Sequence, residues 1–201
     1  MSVGWRGLWA IPCAALLLGG CAVAATDLYP TSPSATTQLL VFRALERAVV
    51  GLDVTRLRDR RVTLEVVSQL YEHRFVATYL ETWFRTHGVK VVEDAADLRL
   101  QIYLLTLGTD KGQSFIGIPS FQIPVLSIPV PEIALFKWIR NRGRADVRVY
   151  AFDSKTADLV DLLPETTGRS KFDDYTILVV VGFSLTDVND PILGTPRAPE
   201  P

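Results

Sequence analysis

The chain is poor in the side chains that carry acid–base, redox or metal chemistry: its 201 residues include two cysteines, two histidines and one methionine. Catalytic and metal-binding functions therefore have little to work with. An excess of charge is lacking too, since 21 basic residues face 22 acidic ones. Such a nearly neutral chain has no whole-molecule field to draw in nucleic acid or an anionic surface, which leaves only local basic patches, and no nucleic-acid partner is expected. No internal repeat, P-loop, G-x-G-x-x-G, G-x-S-x-G elbow or cysteine cluster is found. No catalytic residue, cofactor site or metal site is assigned. What the chain does have is a core-forming composition, 48% apolar and 21% charged. That excludes wholly disordered and collagen-like chains, and the length suits one domain with tails.

The N-terminus carries the clearest pattern. A single basic residue, Arg6, precedes an apolar run over residues 7–18 that is broken only by Pro12, and Leu18-Gly19-Gly20-Cys21 follows at once. About 20 apolar residues are needed to span a bilayer, so this run reads as a secretory leader over residues 1–20. The tetrapeptide resembles the lipobox of bacterial lipoproteins, which implies that Cys21 is acylated and becomes the first mature residue. Cys13 would be discarded with the leader, so no thiol would be left for an intramolecular disulfide. Several acyl chains, at about 0.8 kcal/mol per buried methylene, would hold such a protein on its membrane almost irreversibly. Ala22 stands where the sorting rule for these lipoproteins places Asp for inner-membrane retention. The resemblance therefore implies the outer membrane, with the protein facing the periplasm.

Residues 21–36 read as the lipidated cysteine and a short Pro/Ser/Thr tether, 37–188 as a single folded domain, and 189–201, with four prolines, as a disordered tail. Within the domain, Val41, Leu45, Ala48, Val49 and Leu52 recur at helical spacing after Thr37. Phe75, Val76, Tyr79, Leu80, Trp83 and Phe84 form a second helical stripe that ends at Gly88. Strands are expected over 62–67, 89–92, 98–104 and 145–151, from about Asp158, and as one apolar strand over 175–183. Asp153-Ser154-Lys155-Thr156 is a turn, with Ala157 where such hairpins often place Gly. The pattern predicts an α+β fold, with two helices packed on one face of a mixed, mostly antiparallel sheet and a long Pro-rich apolar loop.

That loop, residues 108–135, interleaves Pro119, Pro124, Pro129 and Pro131 with Phe115, Ile118, Phe121, Ile123 and other apolar residues. Prolines in this number exclude a helix interior and a central strand, yet the segment is too apolar for a solvated loop. Either it folds over its own sheet, or it forms a partner or self-association surface, or it enters a lipid layer. Phe115, Ile118, Phe121, Ile123 and Trp138 are the candidate surface residues.

The remaining polar groups have ordinary readings. His73 and His87 lie at opposite ends of the second helix, about 20 Å apart at 1.5 Å per residue, and cannot share a metal. Glu93, Asp94 and Asp97, and the pair Asp173 and Asp174, read as turn or strand-start charges. Arg56, Arg58, Arg60 and Arg61, and Lys137, Arg140, Arg142 and Arg144, read as solvated charges at strand edges and ends.

The lipobox, the leading helix from Leu39, Gly88-Val89-Lys90-Val91-Val92 with Ala96-Asp97-Leu98, Gly117-Ile118-Pro119-Ser120 with Pro131-Glu132, and Tyr150-Ala151-Phe152-Asp153 together resemble a family of uncharacterised bacterial lipoproteins. More distantly, the order of elements is similar to periplasmic domains of the curli secretion lipoprotein, the lipoprotein activators of penicillin-binding proteins and the N-terminal domain of TolB. Those are assembly, activation and adaptor proteins rather than enzymes, and the likeness is one of topology. It implies a lipid-anchored module that binds an envelope protein partner. Two alternatives stay open: a ring-forming or secretion-associated oligomer, and an envelope enzyme or small-ligand binder.

Overall fold

The computed structural model describes residues 34–68, 73–123 and 128–190. The leader, Cys21, most of the tether and the tail beyond Asp190 lie outside them. Elements run in the order α1 (Ala35–Val50), a 3-10 turn (Thr55–Leu57), β1 (Arg61–Val67), α2 (His73–Thr86), β2 (Lys90–Val91), β3 (Leu98–Ile118), β4 (Phe121–Ile123), β5 (Ile128–Val130), β6 (Ile133–Asp153), β7 (Leu159–Ile177) and β8 (Val181–Thr186). Six strands form one sheet in the order β2-β1-β3-β6-β7-β8, and β4 pairs with β5 in a separate small ladder. The fold is α+β. β1 runs parallel to both β2 and β3. Along β6 and β7 the contacts Arg148 to Glu165, Asp146 to Thr167 and Asn141 to Phe172 advance in opposite chain directions, which makes that pair antiparallel.

The chain divides into two compact units. A helical unit takes in the described residues up to 110, together with 141–172 and those from 186 onward; a hairpin unit takes in 111–140 and 173–185. β3, β6 and β7 each contribute to both.

In the helical unit, α1 begins two residues earlier than the apolar spacing predicts, because Ser34 caps it. The Ser34 hydroxyl accepts from the Thr37 amide at 3.2 Å, satisfying one of the free donors of the first turn. Its buried stripe, Leu40, Ala44, Leu45, Ala48 and Val49, lies on the sheet. The approach is close enough that Gly168 faces the α1 backbone directly: a Cβ there would run into the Ala44 carbonyl oxygen and lie 2.5 Å from the Ala48 nitrogen. Ser170, two residues along β7, donates its buried hydroxyl to the Leu40 carbonyl at 2.7 Å. Arg47 then clamps the chain after β8, donating to Asp187 Oδ2 at 2.9 Å and to the Arg169 carbonyl at 2.6 Å.

α2 buries Val76, Leu80, Trp83 and Phe84 and meets α1 through Phe42, whose ring lies 5.0 Å from that of Tyr79. It stops at Gly88 (φ 86°), where the Val89 amide bonds the Phe84 carbonyl and the Gly88 amide bonds that of Arg85. These are the paired bonds of a Schellman ending, and buried Val89 supplies its apolar contact with Phe84. The helices cover the face carrying Val62, Leu98, Leu100, Ile102, Ala145, Val147 and Val149, all buried.

Three sequence expectations need correction. The strand read as ending at Leu104 continues to Ile118, with its in–out alternation broken after Leu105. Leu104 and Leu107 both pack on the core, while Leu105, between them, lines the opposite face. The expected loop over 108–135 is accordingly mostly strand, with Pro129 in the two-stranded β4–β5 ladder, where every strand is an edge and a missing amide is tolerated. The apolar stretch 175–183 is not one strand: it turns back on itself between β7 and β8.

The apolar hairpin unit as candidate functional site

The hairpin unit holds the candidate surface residues. Ile118 and Phe121 are each half exposed, at 50%, and Ile116 reaches 62%. Phe115 is half-buried, and the side chain of Ile123 lies outside the described residues. Trp138, on β6, belongs to a row of rings across three adjacent strands. It stacks on Tyr175 of β7 at 5.7 Å with 9° between the planes, and Tyr175 stacks on Phe183 of β8 at 5.1 Å with 12°. The Arg140 guanidinium closes the row from the other side, 5.0 Å from the Trp138 centroid. A side chain on Gly112 would crowd that guanidinium, at 3.0 Å from its nearest nitrogen, so glycine leaves room for the cation. Trp138 Nε1 is buried and lacks a hydrogen-bond acceptor among the described residues.

Tyr175 and Phe183 escape a sequence reading because they fall in the stretch taken for one strand. Eight residues of extended chain at about 3.3 Å each would put them some 26 Å apart. The turn that brings them together contains no Asn, Asp or Gly at its centre, so the usual hairpin signal is missing. Leu178 (φ 49°) and Val179 (φ 69°) take the left-handed conformations instead. Their amides donate to Leu135 and Ala134 of β6, each at 2.9 Å.

The basic cluster assigned to strand ends lies inside β6, and its members have local partners. Lys137 pairs with Glu132 at 2.7 Å, and Arg140 stacks on Trp138. In the helical unit, Arg142 donates to the Asn141 carbonyl, and Arg144 bonds Asp146 at 2.8 Å. Of the other cluster, Arg56 lies 3.6 Å from Asp161, and the Arg61 backbone amide donates to Asp97 at 3.4 Å.

The titratable groups of the helical unit are engaged in structure. Burial pushes the Asp146 carboxyl up, but hydrogen bonds from Thr167, Arg144 and Thr106 outweigh it and hold the group below the usual carboxylate range. Burial, helped by the Glu46 carboxylate, raises the Tyr79 phenol to about 12. His87 lies against Trp83 with centroids 4.0 Å apart, and its Nδ1 is 2.8 Å from the Trp83 carbonyl oxygen; a carbonyl only accepts, so the ring donates there. His73 opens α2, and its side chain lies outside the described residues. In the hairpin unit, Asp174 accepts from Ser184 at 2.5 Å, and Asp173 is buried. Among the described residues, no group of three His, Cys, Asp or Glu is placed to hold a metal.

One depression opens on the sheet face of the helical unit, lined by Gln101, Tyr103, Leu105, Arg148, Tyr150 and Phe152. Its volume of 200 Å³ falls short of the roughly 300–1,000 Å³ of small-molecule sites. Arg148, its charged member, is ion-paired with Glu165.

No protein-family model and no curated protein matches the chain. Its chemistry therefore has to be read from its own side chains, and the exposed apolar and aromatic surface of the hairpin unit stands out among them. No helix among the described residues is long and apolar enough to cross a membrane.

Proposed function

We propose that the chain is a lipid-anchored protein of the bacterial cell envelope, held through Cys21 at the outer membrane facing the periplasm, whose hairpin unit docks a protein partner. The observation that supports docking is the concentration of exposed Ile116, Ile118 and Phe121 and the Arg140–Trp138–Tyr175–Phe183 row in one compact unit. Exposed apolar patches of this kind mark interaction surfaces, and aromatic rings with Arg are enriched at the centres of interfaces. The lipobox-like Leu18-Gly19-Gly20-Cys21 supports the anchor.

Two measurements test the two halves of this reading. Cys21→Ser is expected to leave the leader unprocessed and to abolish metabolic labelling with palmitate; a labelled, normally processed variant would overturn the anchor. With Phe121 replaced by p-benzoylphenylalanine, irradiation of intact cells is expected to give a discrete protein adduct that the same replacement at Lys155 does not give. Equal or absent adducts at the two positions would overturn docking.

Self-assembly is a second reading, favoured by two sheet edges. Among the described residues, the pairing of β3 with β1 ends at Tyr103, although β3 continues to Ile118, and β8 is the last strand of the sheet. Edges of this kind are templates for another strand. Light scattering on the detergent-extracted protein separates the readings: a defined large oligomer selects self-assembly, and a monomer removes it.

A further inference from the structure

We propose that the β7–β8 turn of the hairpin unit, residues 177–181, dips into the hydrocarbon surface of a lipid bilayer. The inference rests on the membrane attachment just described and adds a second contact to it. The turn projects Leu178, 64% exposed, and Val180, 83% exposed, beside the exposed Val179 and Val181. Folding does not call for these residues. Leu178 and Val179 occupy left-handed backbone that Asn-Gly would adopt without strain, and a β-branched residue is among the worst choices there. Strain kept at a surface turn points to a demand on the side chains themselves.

The backbone is prepared for a medium without water. The amides of Leu178, Val179 and Val180 all donate within the unit, to the carbonyls of Leu135, Ala134 and Leu178 at 2.9, 2.9 and 2.8 Å. Hydrocarbon tolerates main chain only when its donors are satisfied internally. Charge is absent from the turn and the strand ends that carry it: residues 175–186 contain no Asp, Glu, Lys or Arg, and the charges flanking Ala134 and Leu135 in sequence, Glu132 and Lys137, pair with each other at 2.7 Å. A protein interface is ringed by polar and charged groups, whereas a lipid-facing tip excludes them. Tyr175, partly exposed, stands two residues before the turn, where an aromatic ring with a polar edge suits a bilayer interface. β8 has six residues, fewer than the roughly 9–11 a membrane-crossing strand needs, so the turn enters the surface and does not cross.

The test uses the full-length lipidated protein carrying Val180→Cys, labelled there with an environment-sensitive fluorophore and reconstituted into vesicles of phosphatidylethanolamine and phosphatidylglycerol. Lys155→Cys, in an exposed turn, reports the signal of a residue merely held near a membrane. The expected result is a blue shift at position 180 and loss of its emission when the vesicles carry nitroxide-labelled acyl chains, with neither change at 155. Vesicle-bound protein whose label at 180 is not quenched would overturn the proposal while leaving the anchor in place. A blue shift that ignores the nitroxide lipid and grows with protein concentration would overturn it as well, assigning the turn to a second copy of the chain. Protein that fails to float with the vesicles would remove the anchor and this contact together.

Discussion

Replacing Gly168 with alanine is expected to push α1 off the sheet. The added Cβ has no side chain to displace: it meets the Ala44 carbonyl oxygen and lies 2.5 Å from the Ala48 nitrogen and 3.0 Å from the Ala44 carbonyl carbon, all helix main chain. A retreat of about 1 Å forfeits a quarter to a half of each dispersion contact on that side, and a buried Leu makes about 40–60 such contacts at roughly 0.1 kcal/mol each. With about a third of those contacts facing the sheet, Leu40 and Leu45 stand to lose about 1 kcal/mol between them in this way. The Ser170 bond to the Leu40 carbonyl stretches in the same movement, at a cost of about 1 kcal/mol. With strain included, the total comes to about 3 kcal/mol, the upper end of ordinary overpacking. In urea, with a slope of about 2 kcal/mol/M, the unfolding midpoint should fall by about 1.5 M. Gly108→Ala is the control, because a Cβ there meets nothing within 4 Å. Ala44→Gly added to Gly168→Ala should not rescue, since the clash is with the backbone, and it should cost about 1 kcal/mol more in helix propensity. Equal midpoints for the Gly168 and Gly108 variants, or rescue by Ala44→Gly, would refute this account of how α1 is seated.

Two further outcomes follow from the same unit. Ala157 closes the turn after β6 with φ 60°, where glycine is unstrained; the left-handed cost of about 1–2 kcal/mol, less the 0.4–1 kcal/mol that glycine returns by loosening the unfolded chain, puts Ala157→Gly about 0.5–1 kcal/mol above the parent in thermal or urea unfolding. The depressed Asp146 carboxyl contributes stability that is fully present above the ordinary carboxylate pKa of about 3.9 and is lost as pH falls through its lower folded value. Asp146→Asn should therefore flatten the acid limb of a stability-versus-pH curve and cost about 2 kcal/mol at neutral pH; an unchanged acid limb would show that the Arg144 and Thr167 bonds contribute little.

The helical unit was legible in the sequence where local chemistry and global fold agree. The α2 stripe, its stop at Gly88 and the turn at Asp153, whose Oδ1 accepts from the Lys155 and Thr156 amides at 2.8 and 3.0 Å, stand where spacing and residue type place them. The full length of β3 is not legible because its alternation breaks after Leu105, with Leu104 and Leu107 both packed on the core, and a period-2 pattern carries no mark of such a phase shift. The aromatic row was invisible because it depends on register between strands 37 residues apart for Trp138 and Tyr175, and on a turn without turn residues for Tyr175 and Phe183. Ile118, Phe121 and Trp138 were singled out for their chemistry alone, and the structure places them in one unit.

The two units differ in how far their sequences serve the fold. In the helical unit a Ser caps α1, a Gly ends α2, and small residues stand where α1 meets the sheet, so each local choice lowers the cost of the global one. The hairpin unit departs from those rules repeatedly: valine in left-handed backbone, a turn without Asn or Gly, exposed Ile, Leu, Val and Phe, and a 20-residue stretch without charge. A free, solvated sheet edge is normally blunted with Lys or Pro. β8 has neither, reading Val-Gly-Phe-Ser-Leu-Thr. The helical unit also has exposed apolar residues, such as Leu159 and Val160, and a left-handed alanine at Ala157, but the left-handed valine and the uncharged 112–131 stretch both fall in the hairpin unit. That combination is what the docking proposal leads one to expect where contact, not folding, sets the side chain.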